Sequence, residues 1–161
     1  MSIHKKIPSG FTLIELLVTV TIVAILAVVA MPMAELVVER NKEQELRIAL
    51  WQIRGAIDAY KQATDEGRIA KNAEESGYPH TLDELVDGVV NAKDEKKGKI
   101  FLLRHLPRDP FVDDPNISGA DTWGKRNYES GPDDPQEGGD VYDVYPLSDG
   151  KGLNGIPYKE W

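Results

Sequence analysis

Residues 11–34 read FTLIELLVTVTIVAILAVVAMPMA, and the 19 positions from Leu16 to Ala34 carry no charge. An α-helix of that length rises about 28 Å, close to the ~30 Å hydrocarbon core of a bilayer. A helix buried in a soluble core usually keeps a polar face, and this run of Leu, Val, Ile and Ala has none. The segment reads as a membrane span. Lys5 and Lys6 precede it, and no further basic residue comes before Arg40. By the positive-inside rule the N-terminus stays cytoplasmic and the rest of the chain lies on the far side. A cleaved secretory signal competes with this reading, because Val28, Val29 and Ala30 are small enough for a signal peptidase. Two features oppose it: the apolar run exceeds a typical signal core, and Glu15 sits near its start. An unpartnered carboxylate there costs about 2.5–3.5 kcal/mol on insertion scales.

Helical periodicity continues past the span. Leu46, Leu50, Ile53, Ile57 and Tyr60 recur at alternating spacings of four and three, forming one apolar stripe. Glu39, Arg40, Lys42, Glu43, Glu45, Arg47 and Arg54 read as the solvated face around it. One helix is expected from Phe11 to about Glu66, interrupted only by Pro32 and Gly55. The Pro32 ring removes a backbone donor and clashes with the carbonyl of Val28, which predicts a kink or a melted turn. Of the 24 glycines and prolines, 20 lie after residue 66, where the net charge is -7 of the chain's -8. An apolar rod is thus followed by an acidic, turn-rich head. That charge balance argues against a nucleic-acid backbone as the main partner. The absence of cysteine removes disulfides, thiolate zinc sites and thiol nucleophiles.

The head offers three strand candidates, 99–103, 123–129 and 140–147, separated by Gly/Pro clusters. A small antiparallel sheet resting on the helical stripe would bury both. Thr81 and Glu84 have capping-box spacing for a short helix through about Val86. Residues 89–98 are charged and read as irregular, as does the stretch 110–121.

The segment Lys5-Lys6-Ile7-Pro8-Ser9-Gly10-Phe11-Thr12-Leu13-Ile14-Glu15 resembles the leader of type IV pilin-like proteins: a basic stretch ending in Gly, then Phe, then Glu at the fifth mature position. Pro32 stands where that family often kinks its helix. The resemblance implies an α+β fold, with one long N-terminal helix and a small antiparallel head. It implies a leader at 1–10, a filament-core helix at 11–34, the amphipathic half at 35–66 and a globular head at 67–161. A prepilin peptidase is expected to cut between Gly10 and Phe11 and to methylate the new Phe11 amine. In lipid that amine and Glu15 each relieve the cost of the other, within one helix or between neighbouring subunits. Gly10 and Phe11 are therefore the processing residues, and Phe11, Glu15 and Pro32 the assembly residues.

Within the family, the head is most similar to the major pseudopilin of type II secretion systems. Tyr78-Pro79 with Leu82 and Leu85, Leu106-Pro107-Arg108-Asp109-Pro110, Trp123-Gly124 with Tyr128, and Asp143-Val144-Tyr145-Pro146-Leu147-Ser148-Asp149-Gly150 carry that similarity. The Trp–Tyr spacing has one extra residue. The similarity implies a homopolymer with minor pseudopilins, a prepilin peptidase, an inner-membrane platform protein and an assembly ATPase as partners. It places the chain in the inner membrane, single-pass, with a periplasmic head. A type IV pilin of a surface fibre, serving adhesion, motility or DNA uptake, is the first alternative, and many of those staple the head with a disulfide that this chain lacks; a membrane-anchored binding module is the second.

Pseudopilins of this type often hold a C-terminal loop with calcium. Carried over residue by residue, Leu147, Ser148 and Asp149 are the candidate ligands, with Asn154 a further oxygen. No acidic residue follows between Gly150 and Tyr158, where the family supplies more carboxylates. Asp133, Asp134 and Asp140 read as a solvated acidic loop. Enzyme readings fare poorly. Residues 119–125 fit a phosphate-loop spacing but lack the Ser or Thr that would follow it, and no helix pattern comes after. His4, His80 and His105 lack metal-ligand spacing.

Overall fold

The computed structural model describes residues 10–161, apart from the side chains of Val29, Met31 and Pro32. The basic pair Lys5 and Lys6 and His4 lie outside the described residues, and the helix runs unbroken through position 32, without the melted turn that the proline allowed. The fold is α+β: a long N-terminal helix and small antiparallel ladders. Helix α1 runs Leu13–Asp65, two residues later in its start than the apolar pattern suggests. The chain divides into two compact units, residues 1–40 and 41–161.

In the first unit the apolar window of α1 has none of its described surface buried, and it is long and apolar enough to cross a membrane. Its two hydroxyls are satisfied inside the helix. Thr19 Oγ1 donates to the Leu16 carbonyl at 2.9 Å, and Thr21 Oγ1 to that of Leu17 at 2.7 Å. Lipid offers no replacement partner, so such back-bonding is what a hydroxyl in an apolar helix requires.

In the second unit the stripe is the floor of the core. Leu46, Leu50, Ile53, Ile57 and Tyr60 are all 5% exposed or less, and Ala49, Ala56 and Ala63 widen the stripe with small side chains. Leu82, Leu85, Trp123, Val144 and Tyr158 belong to the same buried cluster. The solvated face is smaller than its charges suggest. Glu43 is buried, and Arg54 reaches the sheet, with Nε 2.8 Å from Asp143 Oδ1 and Nη2 2.8 Å from the Trp161 carbonyl. Both charges are taken up by groups distant in sequence, which helical periodicity cannot reveal.

Helix α2 is Glu84–Asp87, one turn long. The expected capping box does not form: Asp83 occupies the cap position without a side-chain bond, and the Glu84 carboxylate instead accepts the His80 N–H at 3.3 Å. Strand β1 (Val89–Val90) pairs antiparallel with β2 (Lys99–Ile100), so the stretch read as irregular contains a strand. Strand β3 (Trp123–Arg126) pairs antiparallel with β4 (Asp143–Pro146). The described residues thus form two separate two-stranded ladders where one sheet was expected, and the three strands that fall in candidate segments are shorter than those segments. Gly124 opposes Tyr145, whose ring covers the glycine so closely that a Cβ there would lie 2.3 Å from it. A side chain at 124 would displace that ring.

Asp140 is half-buried and not merely solvated. It accepts the Tyr128 N–H at 2.9 Å and the Ser76 hydroxyl. Asp109 is 1% exposed, and its Oδ1 accepts the Phe111 N–H at 2.8 Å. Its Oδ2 has no partner among the described residues. Burial pushes the Asp109 carboxyl above its ordinary range, against the opposing pull of the Phe111 N–H and the Lys42 charge.

Two expectations follow from this core. Ile57→Ala should cost about 2–5 kcal/mol in chemical unfolding, whereas Trp51→Ala, at a position 78% exposed, should stay within about 0.5 kcal/mol. Asp109 binds its proton more tightly folded than unfolded. Its contribution therefore favours folding below the ordinary carboxylate range and is lost as pH rises through the raised folded value. Asp109→Asn keeps an oxygen for Phe111, so its unfolding midpoint relative to wild type should rise between about pH 4 and about pH 7.

Candidate functional site

The start of α1 is built by a reciprocal cap. Thr12 precedes the first helical residue, Leu13, and Glu15 is third in the helix. Thr12 N–H and Thr12 Oγ1 both donate to Glu15 Oε2, at 3.0 and 2.8 Å, and the Glu15 N–H returns to Thr12 Oγ1 at 3.3 Å. Two backbone donors of the first turn are thereby satisfied. The carboxylate also lies at the positive end of the helix dipole, where a negative charge is favoured. A Thr-x-x-Glu spacing at 12–15 was present in the sequence. The apolar run drew the reading toward Glu15 alone, and Thr12 was missed.

The cap sets what the preceding residues can do. Gly10 and Phe11 lie in non-helical backbone, both exposed, with Phe11 at 88%. The Gly10–Phe11 peptide bond is outside the helix, and bond-cleaving enzymes need such backbone. Glu15 accepts from the amide of Thr12, the residue joined to Phe11. Hydrolysis before Phe11 would therefore create an amine one residue from the Thr12 amide that anchors the Glu15 carboxylate. The structure brings Phe11, Thr12 and Glu15 together at one helix mouth, and among the described residues nothing beyond its chain neighbours comes within 4 Å of where a Cβ on Gly10 would stand.

Residues 6–31 match the prokaryotic N-terminal methylation motif. The match includes Gly10, Phe11 and Glu15. No curated protein and no solved structure matches the chain. The motif supports a type IV pilin or pseudopilin class of protein, and implies processing by a prepilin peptidase followed by filament assembly. It indicates a structural subunit rather than an enzyme.

Elsewhere the candidate residues are held by ordinary contacts. His80 lies between Glu75 and Glu84, with nitrogen–oxygen distances of 3.8 and 3.6 Å, and His105 is exposed. No group of three His, Asp or Glu among the described residues could hold a metal ion. The stretch 119–125 forms a short 3-10 turn at Ala120–Thr122 that enters β3, so its Gly124 and Lys125 lie in a strand and not at the start of a helix. A phosphate cradle needs that helix.

The oxygens assigned to calcium do not fit a cation. Asp149 Oδ1 accepts from Lys159 Nζ at 2.6 Å, and Ser148 Oγ accepts the Gly150 N–H at 3.2 Å. Asn154 Oδ1 accepts the Ile156 N–H at 3.0 Å, and Leu147 is exposed. Lys159 holds the Asp149 carboxyl below its usual range by hydrogen bond and charge. Calcium takes six to eight oxygens, and the assigned residues present one carboxylate, Asp149, already paired with Lys159.

Thr12→Val should expose the first turn of α1. A lost cap costs about 0.5–2 kcal/mol, so hydrogen exchange at the amides of residues 12–15 should accelerate about tenfold, with the amides of residues 46–60 unchanged.

Proposed function

We propose that this chain is a structural subunit of a type II secretion pseudopilus. In this reading the leader through Gly10 is removed and the Phe11 amine methylated on the cytoplasmic side of the inner membrane. Copies then polymerise through the apolar faces of residues 11–36. Glu15 of one subunit pairs with the Phe11 amine of a neighbour, an exchange that removes two unpaired charges from lipid and fixes helix register. Growth of the filament, rooted in the inner membrane with its heads on the periplasmic side, moves exported proteins toward an outer-membrane pore.

The observation that supports a pseudopilin over other methylated subunits is the way the head segments meet. Trp123 is buried, and its Nε1 donates to the Pro107 carbonyl at 2.9 Å. Trp123 pairs with Pro146 across the β3–β4 ladder, and the Asp109 N–H donates to Thr122 Oγ1 at 3.2 Å. The Val141 N–H donates to the Pro79 carbonyl at 2.8 Å, and Tyr78 meets the rings of Tyr128 and Tyr142 at 5.6 and 5.0 Å. Four stretches that resemble the major pseudopilin, scattered from residue 78 to 150, thus share one core. They do so with no cysteine to staple them.

The test is intact-mass spectrometry of membrane-extracted protein, wild type beside Glu15→Ala, with electron microscopy of sheared cells and an export assay. The expected result is a chain starting at Phe11 with one added methyl group, filaments lost in Glu15→Ala, and exported enzymes retained in the periplasm of both the null strain and that variant. Normal export with loss of surface fibres would instead assign the chain to a type IV pilus. An unprocessed chain, or one starting at Met31, would overturn both assignments.

A further inference from the structure

We propose that the C-terminal loop, residues 147–161, is closed from within by Glu43 of α1 and needs no divalent cation. Glu43 is 8% exposed. A carboxylate that has lost its water must be repaid by hydrogen bonds, and the loop supplies them. Glu43 Oε1 accepts the Leu153 N–H at 2.6 Å and the Tyr158 hydroxyl at 3.3 Å, from residues 110 and 115 positions away.

The loop is shaped around that oxygen. A Cβ on Gly152 would lie 2.3 Å from the Trp161 ring and 3.2 Å from Glu43 Oε1, so the backbone passes between the two because residue 152 has no side chain. The loop's remaining polar groups serve one another. Gly152 N–H donates to the Ile156 carbonyl, Gly155 N–H to that of Gly152, and Tyr158 N–H to that of Gly150, at 2.8, 2.8 and 3.1 Å. Tyr158 packs against Phe111 and Trp161, with ring centroids 4.5 and 5.0 Å away. Arg54 holds the last carbonyl of the chain.

A cation held by Ser148, Asp149 and Asn154 would therefore have to displace protein donors to gain the one carboxylate that those three residues offer. Glu43 acts in the opposite sense to a metal: it draws N–H and O–H donors inward, where a cation would draw carbonyl oxygens. The exposed pair of Asp149 and Lys159 adds only a rim contact, worth little in water.

The experiment is limited digestion of the full chain in detergent with a lysine-specific endoprotease that does not itself need calcium, read by mass spectrometry. Cleavage after Lys151 reports on the loop, and cleavage after Lys61, within α1, reports on the whole unit. In wild type the Lys151 rate should be the same with a calcium chelator and with excess calcium. In Glu43→Gln, which keeps the volume but loses the charge, it should rise roughly tenfold in both media, with Lys61 unchanged. Slower wild-type cleavage at Lys151 in calcium would overturn the proposal, and so would an unchanged rate in Glu43→Gln. If Lys61 opens in step with Lys151 in that variant, Tyr158→Phe decides the matter. Faster cleavage at Lys151 alone then supports closure by Glu43, and an unchanged rate overturns it.

Discussion

A two-stranded ribbon in water is marginal by itself, because neither face is covered and half its backbone groups point to solvent. The residues after α1 contain two such ribbons of two and four residues per strand. They persist because α1 lends them a surface. The buried stripe from Leu46 to Ala63 presents four large aliphatic side chains, Leu46, Leu50, Ile53 and Ile57, with alanines beside them, and each buried Leu or Ile is worth about 1.5–3 kcal/mol. A helix satisfies its own backbone, so it can offer that surface without asking the head for hydrogen bonds.

Polar ties then set how the head lies on the stripe. Arg54 is the principal one. Its guanidinium joins Asp143, the Val144 carbonyl and the Trp161 carbonyl, and Asp143 is shared with Arg126 at 3.1 Å. Glu43, near the other end of the stripe, takes the loop that precedes Trp161. Together the two residues, eleven positions apart on α1, pin β4 and the chain terminus to one helix. A disulfide or a bound ion can do the same work in a small domain.

The first half of α1 meets a different constraint. Its side chains have no protein to cover them among the described residues, and its composition suits hydrocarbon. Glu15 is the exception, and the Thr12 cap shows how it is accommodated before any partner arrives: the carboxylate serves the helix's own first turn. In the proposed filament the neighbouring amine competes for a carboxylate already oriented toward the helix mouth, so less ordering is lost when the two meet.

Much of this was legible in the residue order, because helical structure is written in local periodicity. The charge-free run, the stripe at 46, 50, 53, 57 and 60, and the methylation motif around Gly10 and Phe11 need only neighbours within a turn or two to be read. Thr12 was equally local and was overlooked because Glu15 had a more conspicuous explanation. What sequence reasoning missed outright depends on partners far along the chain. Glu43 looks like any surface glutamate until Leu153 and Tyr158 arrive, Asp140 looks solvated until Ser76 and Tyr128 use it, and Val89–Val90 is a strand only because Lys99–Ile100 lies beside it. Local pattern determined the helix and its two environments. Tertiary structure alone decided which charges are buried and how the C-terminal loop closes, since desolvation and pairing are properties of a place in space that no short window of residues contains.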